Sequence, residues 1–159
     1  MSDSNKSLIA RYLAGADQLN QSIGRLTAEE LQAFPVPGTW SIQQIVIHLL
    51  DSDLVHSDRI KRVIAEDNPL LMAFDETKFV ARLHYNAQDS VLAAELFAKN
   101  RQLMHQVLAQ LSTACFERSG IHSERGRLTL TDLVTTACNH LDHHLKFLHE
   151  KRQLLGKPQ

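Results

Sequence analysis

Between Trp40 and Glu66 neither glycine nor proline interrupts the chain, and Ile42, Ile45, Val46, Leu49, Ile60, Val63 and Ile64 recur at helical spacing. Only a helix carries residues three and four apart on one face, so this stretch predicts a long amphipathic helix, closed by Asn68-Pro69. Three further segments repeat the pattern. Leu8, Ile9, Tyr12, Leu13, Ala16 and Leu19 predict one helix over Ser4 to Ile23. Leu92, Leu96, Leu103, Met104, Val107, Leu108 and Leu111 mark the expected inward face of a helix from Ser90 to Leu111. Leu130, Val134, Ala137, Leu141, Leu145 and Leu148 do the same for a last helix, capped at Thr129 or Thr131 and running to about Leu154.

Two shorter helices punctuate the series. Thr27-Ala28-Glu29-Glu30 has the form of a capping box. Asp75 can cap a segment reaching His84, in which Phe79 and Leu83 lie one turn apart. Ser112 to Arg127 has no period and two glycines, and reads as a loop. Only six glycines and four prolines occur in 159 residues, there is no convincing alternating strand, and no repeat of roughly 20 to 50 residues is present. The sequence therefore predicts a single all-α domain over 1–159, a four-helix bundle whose connections permit a non-sequential helix order.

Charge narrows the function. Seventeen basic against eighteen acidic side chains leave a net charge of −1, so nothing attracts a polyanion and no nucleic-acid partner is expected. Apolar runs such as Ile45-Val46-Ile47 are broken by His48 and Asp51, far short of the roughly 20 residues that cross a bilayer. The first residues lack the apolar core of a signal peptide, and Cys115 and Cys138 make no disulfide framework; both observations point to a cytoplasmic protein with reduced thiols.

The nine histidines carry the chemistry. With Leu141 at the centre of the buried stripe and about 100° of turn per residue, His144 lies about 60° away, His140 about 100° and His143 about 160°. His140 and His144 sit at the core's edge four residues apart, the spacing at which two imidazoles share an ion, while His143 points to solvent. His48, by the same count about 100° from Leu49, borders the apolar face of its own helix and can meet the pair across the bundle. Three neutral imidazoles suit zinc, nickel, copper or iron, and leave positions open for water or substrate. The plain alternative is that these are surface or capping histidines. His56 falls on the apolar stripe and reads as packed, His105 lies opposite Val107 and reads as solvated, and His84, His122 and His149 give no signal. A bundle di-iron centre needs paired Glu-x-x-His motifs, which the sequence lacks. Trp40 reads as a core anchor and Cys138 as packing.

Gly38-Thr39-Trp40-Ser41-Ile42 leading to His48-Leu49-Leu50-Asp51, together with His140-Leu141-Asp142-His143-His144-Leu145, resembles the DinB/YfiT-like family of metal-binding helical bundles. Phe74-Asp75, Arg101 and Arg125-Gly126-Arg127-Leu128-Thr129-Leu130 extend the resemblance over most of the chain. It implies an up-down-down-up bundle, often a homodimer, with zinc or nickel held by His48, His140 and His144. It also implies small-molecule chemistry, either hydrolysis or transfer with a low-molecular-weight thiol as cosubstrate. The family's glutamate five residues after the first histidine is replaced by Asp53, whereas Asp51 matches.

These observations lead to a working expectation in which a bound ion activates a water or a small thiol for hydrolysis or S-transfer. Asp51 flanks His48 but receives no catalytic role. The rivals are a non-catalytic metal- or ligand-binding module and a bundle without metal.

Overall fold

Hydroxyl caps decide where the two longest helices begin. In the computed structural model, which describes residues 1–158, the Ser41 side chain accepts from the Gln44 amide at 3.1 Å and the Gln44 side chain accepts from the Ser41 amide at 2.9 Å. This reciprocal pair opens α4, Ile42–Ala65. Thr129 and Asp132 make the same arrangement at the start of α7, Leu130–Leu154. Thr27 and Glu30 make it at α3, Ala28–Gln32, as the sequence predicts. Gln159, the last residue of the span read as one domain, lies outside the described residues.

The remaining helices are α1 (Asp3–Ala14), α2 (Gln18–Ile23), α5 (Glu76–Arg82, capped by Asp75) and α6 (Ser90–Leu108). Around the core the neighbours are α4 with α6 and α7, and α1 and α2 with α6 and α7, so α1 stands diagonal to α4. Side-chain bonds fix the directions. Gln43 reaches the carbonyls of Tyr85 and Gln88, and Asp53 meets Asn100, so α4 and α6 run parallel. Thr39 meets Lys151 at one end of α4 while His56 lies beside His140 further along, so α7 runs against α4. Arg11 bonds Asp142 and Ser22 lies 3.1 Å from His149, so α1 and α2 follow α7. The order is up, down, down, up, and consecutive helices α6 and α7 are not neighbours.

Three expectations change. The predicted helix over Ser4 to Ile23 breaks at Gly15 into α1 and α2. A Cβ on Gly15 would stand 2.4 Å from Arg101 Nη1 and 2.7 Å from Leu141 Cδ2, so the chain bends there to admit the arginine. Gly15→Ala is expected to cost about 1–3 kcal/mol by overpacking, read as a melting temperature lower by about 2–12 °C in a thermal melt. The segment read as a loop contains β2 (Ser119–His122) and β3 (Gly126–Thr129), an antiparallel pair, and β2 also pairs in parallel with β1 (Leu70–Leu71). Strands of two to four residues are too short to display alternation. Gly120 is required at the junction, because a Cβ would meet the Pro69 carbonyl at 2.8 Å. Arg118, just before β2, donates to the carbonyls of Val63 and Glu66 at 2.8 and 2.7 Å and so caps the C-terminus of α4.

The third change concerns α6. Its buried residues include Ala93, Ala94, Phe97, Ala98, Arg101, Met104 and Leu108, while Leu92, Leu96, Leu103 and Val107 are exposed. Small alanines let α6 lie close against its neighbours, and the inward arginine is balanced by Asp53 on α4. That carboxylate, 2% exposed like its partner, accepts from Arg101 Nε at 2.9 Å. Arg101 Nη2 donates to the Ala137 carbonyl at 2.9 Å, and the guanidinium carbon lies 4.7 Å from the Tyr12 ring centre and 4.6 Å from that of Phe97.

Candidate metal centre

The antiparallel crossing of α4 and α7 brings His48, His140 and His144 together. His48 Nε2 and His140 Nε2 stand 3.1 Å apart, and one nitrogen from each of the three rings lies within 4.8 Å of the others. His48 is fully buried and the other two are partly buried. Burial, with lesser repulsion from neighbouring histidines, pushes His48 and His144 down to about 3, and burial pushes His140 down to about 4. All three rings are therefore neutral near pH 7, with lone pairs available.

The donor set fits a transition-metal ion. Two imidazole nitrogens each about 2.1 Å from a tetrahedral zinc stand about 3.4 Å apart, close to the separation found between His48 and His140. Ser52 Oγ lies 3.4 Å from the same His48 nitrogen. His48 Nδ1 is buried without a hydrogen-bond partner among the described residues, so the ring is held by packing and not by an outer carboxylate.

Two groups at the site were not legible as site residues. Glu76, from the first turn of α5, places Oε2 3.7 Å from His48 Nε2 and remains half exposed. The only sequence signal near it is the Asp75 cap. Trp40, read as a core anchor, does pack on the core, but its ring also lies 4.8 Å from His48 and 6.0 Å from His144, within 5° of parallel to the latter. It thus forms one wall of the site and of a 470 Å³ cleft lined further by Val36, Ile45, His144, Phe147 and Lys151.

Asp51 turns away from His48 and accepts from the Tyr85 hydroxyl at 2.5 Å; burial, and then this hydrogen bond and charge, raise the Tyr85 pKa above its ordinary range. Asp53 belongs to the buried pair with Arg101 and not to the histidine cluster. His56 is buried, as its place on the stripe predicts, with its ring 5.9 Å from that of His140. His143 is exposed, His105 is partly buried instead of fully solvated, and Cys138 packs in the core.

A family model described as the DinB superfamily matches residues 11–148. The chain belongs to the DinB superfamily. A protein of Oceanobacillus iheyensis, named as a candidate metal-dependent hydrolase, is 26% identical over 129 residues, covering 81% of this chain and 74% of its own. A Bacillus licheniformis protein with the same kind of name is 25% identical, covering 87% and 79%. Among solved structures, YfiT from Bacillus subtilis, described as a candidate metal-dependent hydrolase with an unusual four-helix bundle topology, superposes with a TM-score of 0.90 at 22% identity, over 98% of this chain and 90% of YfiT. The DinB-like protein YjoA of the same organism gives 0.68 at 16% identity, over 96% and 94%. These likenesses show that the DinB-superfamily chain has the YfiT bundle. No helix among the described residues is long and apolar enough to cross a membrane.

Proposed function

We propose that this DinB-superfamily protein is a metal-dependent hydrolase of small molecules in which His48, His140 and His144 hold one divalent ion, zinc or nickel. The observation that carries the reading is the convergence of three neutral imidazoles, one of which, His144, also lines the cleft beside Trp40. Such an ion, when bound, supplies Lewis acidity toward water and a substrate carbonyl. The chain supplies the rest. His48 is immobilised by the core, and His140 and His144 by adjacent turns of one helix, so the three nitrogens are preorganised. Trp40 and the bundle interior shield one side from solvent. Glu76 Oε2, beside His48 and open to solvent, accepts the proton of the attacking water and returns it to the leaving group. One water is consumed: its oxygen bonds to the acyl carbon and the bond to the leaving nitrogen or oxygen breaks. The names of the relatives favour hydrolysis over thiol transfer.

The test is metal content by plasma mass spectrometry of untagged protein, beside His140→Ala/His144→Ala. Near-stoichiometric metal is expected in the wild type and none in the variant, with both folded by circular dichroism. Glu76→Gln is expected to keep the metal and to lose about a hundredfold or more in kcat on an activated ester. A rate that instead rises with added thiol and consumes it would replace hydrolysis by S-transfer. A folded wild type that takes up no added ion removes the metalloenzyme reading.

A further inference from the structure

The cleft beside Trp40 contains an unneutralised cation. Lys151 is 3% exposed, yet no carboxylate lies within ion-pair distance of it among the described residues. Its Nζ donates to Thr39 Oγ1 at 2.5 Å, and the Thr39 hydroxyl in turn donates a hydrogen bond to the Val36 carbonyl at 2.8 Å. An ammonium carries three protons, so two of them have no partner among the described residues, in a cleft whose walls are otherwise largely apolar: Trp40, Ile45, Phe147 and Val36. A buried cation in such surroundings costs free energy unless an anion meets it. Burial accordingly lowers the Lys151 pKa, opposed only by Glu150, which is exposed at the rim.

The geometry points to this cleft as the site for the carboxylate end of an apolar substrate, with Lys151 binding the carboxylate and Thr39 positioning the ammonium. His144 and Lys151 are seven residues apart on α7, two turns on one face, so the ends of the cleft are separated by about 10 Å. A monocarboxylate with an aryl or alkyl body reaches from Lys151 along Trp40 and Phe147 and presents its far end to the histidines. A single ammonium with Glu150 at the rim suits a monoanion and disfavours a phosphate dianion. The substrate class rests on the hydrolase reading above, as a carboxylate-tailed ester or amide, but recognition of the acid does not depend on the metal.

The test uses 5-phenylpentanoate and the neutral 5-phenylpentanamide as probes, titrated into the full-length protein by calorimetry. The fluorescence of Trp40, the sole tryptophan, is followed in parallel. The acid is expected to bind at least tenfold more tightly than the amide and to perturb Trp40, equally in protein as purified and after chelator treatment. Lys151→Met is expected to bring the two affinities within about threefold of each other. Should that variant fail to fold, the acid-to-amide ratio in the wild type still decides. Equal affinity for the two probes, no binding of either, or a preference that persists in a folded Lys151→Met overturns the assignment. A preference that vanishes on chelation assigns the acid to the ion and also overturns it, whereas absence of metal with the preference intact refutes only the metalloenzyme.

Discussion

Replacing Arg101 by methionine is expected to lower the melting temperature by about 6–20 °C, corresponding to about 3–5 kcal/mol, the cost of stranding one member of a buried ion pair. Asp53 would keep its bond from Asn100 Nδ2 at 2.7 Å but lose the guanidinium that offsets its burial. Burial already raises the Asp53 pKa against the opposing pull of Arg101, so in the variant this carboxyl takes up a proton more readily still. Three other groups lose partners together: the Ala137 carbonyl, the Tyr12 ring and the Phe97 ring. The double variant Asp53→Leu/Arg101→Met removes both charges and is expected to be more stable than Arg101→Met alone. A thermal or denaturant double-variant cycle reads this coupling, and additive losses would show that the pair does not act as a unit.

Acid unfolding is the second large effect. His48, His56 and His144 are depressed to about 3 and His140 to about 4, against an unfolded value near 6.5. Because these folded-state values lie below the unfolded one, the unfolded chain takes up protons first as the pH drops. Stability is complete above about 6.5 and declines below it, each histidine contributing up to about 1.4 kcal/mol per pH unit until its folded pKa is reached. Four together consume a typical stability of about 5–15 kcal/mol within roughly one to three units. The metal-free protein is therefore expected to unfold with a midpoint between about pH 3.5 and 5.5, followed by circular dichroism. His56→Leu, which spares the three proposed ligands, should move the midpoint to lower pH. Added zinc should do the same by binding only the folded form. A midpoint unmoved by His56→Leu would show that this ring is not held neutral by its burial.

What the sequence disclosed follows physical locality. Three of the four long helices and the pairing of His140 with His144 are legible because both depend on spacing within one helix. His48 is legible because the border of an apolar stripe can be located from the stripe itself. The Asp53–Arg101 pair joins residues 48 apart in the chain, and no local rule links them. The break at Gly15 is imposed by that same arginine, so it too is absent from local periodicity. On α6, Leu92, Leu96 and Leu103 mislead, because the core face there is set by alanines, Phe97 and an arginine whose burial the partner carboxylate permits, while Met104 and Leu108 face inward as their spacing predicts. Glu76 escapes notice because a short helix carries it to His48, and nothing in its spacing points across the fold.

The up-down-down-up order also sets how the molecule must assemble. An up-and-down bundle grows by hairpins, each helix docking on the one made just before it. Here α6 and α7 are diagonal, and contacts that define the site and the helix order join positions far apart in the chain: 92 residues between His48 and His140, 131 between Arg11 and Asp142. Chain entropy must be spent closing those long loops before the contacts reward it, which places this bundle among slower folders than its helix content suggests. The nascent chain cannot build the histidine cluster until α7 has been synthesised, so the proposed ion would be captured only once the fold is complete.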